Sequence, residues 1–110
     1  EALGPDATIG TPVYMSPEQL ATGHTTIRSD IYSLALLLFE LYTGRALHRT
    51  TALAELRRLH RLEPVTLLDQ SGLTLPAHIR SILTRCLERD PAQRPALVRE
   101  VAAAIDASGT

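Results

Sequence analysis

The chain has 110 residues, a net charge of −1 and a hydrophobic fraction of 45%, enough for one domain with its own core. That charge gives no electrostatic reason to expect nucleic acid or a membrane surface as a partner. One cysteine, Cys86, excludes an internal disulfide, and lysine, asparagine and tryptophan are all absent.

Residues 1–15 carry Gly4, Pro5, Gly10 and Pro12 and read as an extended loop. Their start reads as mid-chain material, with no apolar stretch and cleavage site to suggest a secretory signal. In "SPEQLA", Pro17 follows Ser16 at a first helical position and Glu18 falls in the first turn. That is a helix-start signature, and Gly23 predicts an early stop. "SDIYSLALLLFELYTGR" predicts the main helix, with Ser29 or Asp30 as its cap and Gly44 past its end. Only Ser33 and Glu40 are strongly polar between Ile31 and Tyr42, so a helix buried on all sides is expected. A membrane span needs about 20 apolar residues, which this run does not supply.

Residues 51–62 predict another helix, with Leu53, Leu56 and Leu59 inward. "EPVTLLDQSGLTLP" reads as a connector. From Pro76 to Glu88, the residues Ile79, Ile82, Leu83, Cys86 and Leu87 form one amphipathic face. Asp90-Pro91 ends that helix, and "AQRP" reads as a tight connector. A last helix over about 96–107 sets Leu97, Val98, Val101, Ala102 and Ile105 on one side. No strand or repeat is evident. The fold class is all-α, a helical bundle of roughly four substantial helices and one short one.

Three stretches in order carry a resemblance: "GTPVYMSPEQ", the main helix, and "RCLERDPAQRP". Together they resemble the C-terminal lobe of a eukaryotic-like serine/threonine protein kinase of the bacterial type, from about Ala7 to the chain's end. The resemblance implies that residues 1–15 are the end of an activation segment and a substrate loop, and 16–107 a helical subdomain. Gly10, Thr11, Pro12 and Tyr14 would hold a protein or peptide substrate. Thr8, or failing that Thr11, would accept an activating phosphate. Ser16-Pro17-Glu18 stands where the family has Ala-Pro-Glu, and Glu18 would pair with Arg94. Asp30 would brace a catalytic loop, and Leu37 and Leu41 would anchor hydrophobic spines. Ala35 departs from the family's usual glycine, and "GRALHR" departs from its usual Gly-Arg-x-Pro-Phe.

Kinase chemistry needs a lysine on the phosphates, an acceptor-orienting aspartate, and an asparagine and an aspartate on magnesium. Without lysine or asparagine, the chain reads as truncated after the metal-binding motif, its N-lobe and catalytic loop absent. ATP and Mg belong to the intact parent, and this chain alone is expected to bind neither and to be inactive. The parent is expected to be cytoplasmic or anchored through segments not present here. The missing N-terminal half of the kinase is then an expected partner beside the protein or peptide substrate. The rival is a stand-alone, kinase-derived helical module that binds peptides or partner proteins. The coding region upstream of Glu1 distinguishes the two. A helix-turn-helix DNA binder fits neither the charge nor the helix order.

Plainer readings stand beside these. Glu18 and Arg94 are two solvated charges unless the resemblance holds, and Asp30 caps a helix in either case. His24, His48, His60 and His78 lack metal-ligand spacing and read as surface residues. Cys86 reads as an inert core thiol. Arg57, Arg58 and Arg61 form a basic strip, first a solvated helix face and second a contact for acidic substrates or partners.

Overall fold

The structure, a computed structural model, describes residues 12–106. A 3-10 turn at Pro12–Tyr14 is followed by α1 (Pro17–Thr22), α2 (Ile27–Thr43), α3 (Leu53–His60), α4 (Pro64–Ser71) and α5 (Ala77–Cys86). A second 3-10 turn at Pro91–Gln93 leads into α6 (Val98–Asp106). No strand occurs among the described residues, as expected of an all-α chain.

Local chemistry sets the helix ends. The Ser16 hydroxyl accepts from the Gln19 amide at 3.2 Å while the Gln19 side chain accepts from the Ser16 amide, a reciprocal capping box. Gly23 and Gly44 close α1 and α2 at φ 78°, a left-handed conformation that glycine adopts without a Cβ penalty. The cap of α2 is neither Ser29 nor Asp30. Thr26 takes that place, bonding the Ser29 amide as Ser29 bonds back. "TTIRS" thus supplies its own capping box, and the helix begins at Ile27. Asp30 is exposed within its first turn.

Three other expectations need correction. The expected connector after Leu62 contains α4, started by Pro64 at its first position and ended by Gly72. The described residues therefore hold six α-helices, not about five. Only Val101 is fully buried on α6, while Leu97 and Val98 remain exposed. Finally, α2 is not covered on every side. Ile31, Tyr32, Ala35, Leu36 and Phe39 are buried, but Leu37 is 52% exposed and Leu41 78%.

The core lies where α5 meets α2, α4 and α6. Ile79, Ile82, Leu83, Cys86 and Leu87 all enter it, as their spacing predicts. Ala35 is fully buried within the same cluster. Cys86 lies in it too, and burial pushes its thiol up to about 11, which makes it an unreactive core residue at neutral pH. No helix among the described residues is long and apolar enough to cross a membrane.

Candidate functional site

The site is built where the segment before α1 lies on α2. The only strongly polar positions between Ile31 and Tyr42 are Ser33 and Glu40, and both hold this segment. Ser33 donates to the Tyr14 carbonyl, and the Tyr14 hydroxyl donates to Glu40 Oε1 at 2.6 Å. That bond, followed by burial, raises the Tyr14 pKa. One turn earlier, Ser29 donates to Glu18 Oε2 at 2.7 Å. Ser29, Ser33 and Glu40 are spaced at i, i+4 and i+11, which keeps them on one helix face.

The clasp itself joins residues far apart in sequence. Arg94 Nη1 lies 2.7 Å from Glu18 Oε2 and Arg94 Nη2 lies 2.9 Å from Glu18 Oε1. This is the two-pronged geometry a guanidinium alone provides. The Arg94 side chain is 0% exposed and that of Glu18 21%. Arg94 also donates to the carbonyls of Glu88, Arg28 and Arg89. All of its N–H groups are thereby used, and the guanidinium sits 5.0 Å from the Tyr32 ring centroid. Burial pushes the Glu18 carboxyl up, but hydrogen bonds from Arg94 and Ser29 outweigh it and hold the pKa at about 2.

Beneath the clasp is a cluster of three rings that sequence reasoning missed. The Tyr32 hydroxyl and His48 Nε2 are 3.2 Å apart. The His60 ring meets His48 and Tyr32 edge-on at 5.6 and 5.8 Å between centroids. Both histidines were expected at the surface, yet they are 2% and 5% exposed. Burial lowers both pKa values to about 4, helped at His48 by the neighbouring His60. His48 Nδ1 and His60 Nε2 find no hydrogen-bond partner among the described residues. The one sequence signal was His48 itself, standing inside the departure "GRALHR".

Of the other expected site residues, Pro12 lies half-buried in the first turn beside Tyr14. Thr8, Gly10 and Thr11 lie outside the described residues. Asp30, Leu37 and Leu41 are exposed on α2, and none of them forms part of the clasp. The residues present do not fit Mg-ATP, since the chain offers no lysine for phosphate and no asparagine for the metal. Among the described residues, no group of three or more histidine, cysteine or acidic side chains could hold a metal ion.

Comparison with known proteins matches the sequence to a family. The family model described as "Protein kinase domain" matches residues 3–104. The chain is 33% identical over 103 residues to the probable serine/threonine-protein kinase PBL11 of Arabidopsis thaliana, covering 81% of this chain and 26% of that protein. It is 31% identical to the serine/threonine-protein kinase PksC of Streptomyces coelicolor, covering 78% of this chain and 16% of the relative. A third relative, the serine/threonine-protein kinase pkn2 of Myxococcus xanthus, is 31% identical over 91% of this chain and 12% of its own length. The chain thus spans about a quarter or less of the length of these relatives. Because the family match runs through both partners of the Glu18–Arg94 clasp, the chain belongs to the protein kinase family.

Proposed function

We propose that this chain is the substrate-docking and scaffold portion of a protein serine/threonine kinase. The observation that carries the reading is the buried, two-pronged Glu18–Arg94 pair. It fixes the segment from Pro12 to Thr22 on the helical body. Phosphoryl transfer relies on positioning and electrostatic stabilisation more than on covalent chemistry by the protein. A segment held at Tyr14 by Ser33 and Glu40, and at Glu18 by Ser29 and Arg94, supplies positioning: Gly10, Thr11, Pro12 and Tyr14 hold a substrate peptide, and Thr8 or Thr11 accepts the activating phosphate. ATP and Mg are bound by other parts of the parent kinase. The exposed side of α2, with Leu37, Leu41 and Tyr42, supports this division, because it offers an apolar surface to those parts.

The test is phosphoryl transfer. The purified chain with Mg-ATP and a generic basic protein is expected to give no product above a buffer control. The longer protein that contains it is expected to phosphorylate serine or threonine. Transfer by the chain alone, or no transfer by the longer protein, overturns the reading.

A further inference from the structure

A cleft of about 230 Å³ opens between α1 and α3, walled by Pro17, Leu20, Ala21, Arg57, His60 and Arg61. It adjoins the substrate segment, since Pro17 and Leu20 belong to the helix that Glu18 anchors. Its size is below the ~300–1,000 Å³ of typical small-molecule pockets, so it suits one side chain better than a nucleotide.

Its charge is one-sided. Arg57 and Arg61 stand one helical turn apart, at the ~5–6 Å spacing of neighbours on one helix face. Both are exposed, and neither forms an ion pair among the described residues. Arg58, between them in sequence, is neutralised by Glu55 at 2.6 Å and does not line the cleft. The dipole of α3 favours cations near its C-terminus, which accounts for arginine there but not for two of them walling one cleft. Among the described residues no carboxylate lines the cleft, and the third polar wall is His60, whose Nε2 finds no hydrogen-bond partner among them.

We propose that this cleft binds an acidic side chain of the protein substrate, a carboxylate or a phosphate, through Arg57 and Arg61. The proposal rests on the kinase-segment reading and names the substrate class it serves. Two arginines on one face can engage an anion with charge-assisted hydrogen bonds, while Leu20 and Pro17 cover the stem of the side chain. An acidic residue seated there lies next to the loop that presents the acceptor hydroxyl.

The test uses a short fluorescein-labelled peptide carrying one phosphoserine, with glutamate and alanine versions, read by fluorescence anisotropy against the 110-residue chain. The phosphoserine or glutamate peptide is expected to bind about tenfold or more tightly than the alanine peptide, and less tightly as salt rises. Arg57→Gln and Arg61→Gln each abolish the preference, while Arg58→Gln retains it. A stronger phosphoserine response identifies phosphate as the source, and equal responses identify charge alone. Equal binding of all three peptides, or an equal loss in Arg58→Gln, overturns the proposal. In the longer protein, the same two variants are expected to raise KM for the acidic peptide with kcat unchanged. Intact phosphoryl transfer with an unchanged KM overturns the cleft and leaves the kinase reading. Arginine-dependent peptide binding without any phosphoryl transfer does the reverse.

Discussion

Glu18→Ala leaves the Arg94 guanidinium with three of its five hydrogen bonds, at a side chain that is 0% exposed. Breaking a buried pair in this way costs ~3–5 kcal/mol. The carboxylate gives a second measure. Its pKa falls from 4.5 to about 2, and at about 1.4 kcal/mol per unit this is roughly 3 kcal/mol. Solvent reaches a fifth of Glu18 and screens it in part, so this figure is an upper bound. Arg94→Ala costs more, because the carbonyls of Arg28, Glu88 and Arg89 lose a donor as well, each worth about 1 kcal/mol. Arg94→Lys keeps the charge but replaces a planar fork with a point donor, so it recovers only part of the loss.

Urea unfolding followed by circular dichroism measures these effects, and a double-mutant cycle isolates the pair. The double variant is expected to lose less than the sum of the single ones. The pH dependence has a fixed sign. A depressed carboxyl stabilises fully above the unfolded value of 4.5 and loses that contribution as pH falls toward about 2. Glu18→Gln should flatten the stability curve in that window. A Glu18→Ala cost within the ~0–1 kcal/mol of exposed pairs, or simple additivity in the cycle, would refute the clasp.

Three further outcomes are expected. His48 and His60 are held near pKa 4 against an ordinary 6.5, so they leave stability intact above 6.5 and erode it as pH falls toward 4; His48→Phe should make the urea midpoint less pH-dependent there, and an unchanged dependence counts against the ring cluster. The chain alone should bind a dye for apolar surface and self-associate through Leu37, Leu41 and Tyr42, because each covered aliphatic side chain is worth ~1.5–3 kcal/mol; a sharp thermal transition from a dye-free, strictly monomeric sample contradicts this. In the longer protein, Thr8→Ala should lower activity, because a phosphothreonine adds about −1.5 to −2 charge and can order a loop against arginine; equal activity, or Thr8 unmodified by mass spectrometry in active enzyme, removes that role.

Local signals were legible in the sequence where one physical rule dominated. Ser16-Pro17-Glu18 marked a helix start, and the face from Ile79 to Leu87 reached the core as its spacing predicted. Where two rules competed, sequence reading failed. Thr26, Ser29 and Asp30 all can cap, and only the backbone selects Thr26. α4 is eight residues, beginning at Pro64 and capped by Gly72, too short for its period to outweigh those turn signals. The histidines failed for a different reason. Burial of His48 and His60 depends on Tyr32 and on each other, contacts that no local window contains. Pairing Glu18 with Arg94 came from resemblance, because no periodicity links residues on α1 and the last connector.

The central helix shows how hydrophobicity and location can part. Its apolar run says which side chains avoid water, but not which neighbour covers them, so Leu37 and Leu41 read the same as Leu36 and Phe39. Its few polar residues were the more informative ones. Ser29, Ser33 and Glu40 lie on one stripe, and each takes a hydrogen bond to the segment before or within α1. A helix selected only for burial has no use for that stripe, since apolar residues there would pack at lower desolvation cost. The stripe instead fixes the loop at several points along its length, while Arg94 fixes it from the far end of the chain. Together these ties hold one short segment still, which supports the proposed docking role, since phosphoryl transfer depends on placing an acceptor hydroxyl within attack distance of a phosphate.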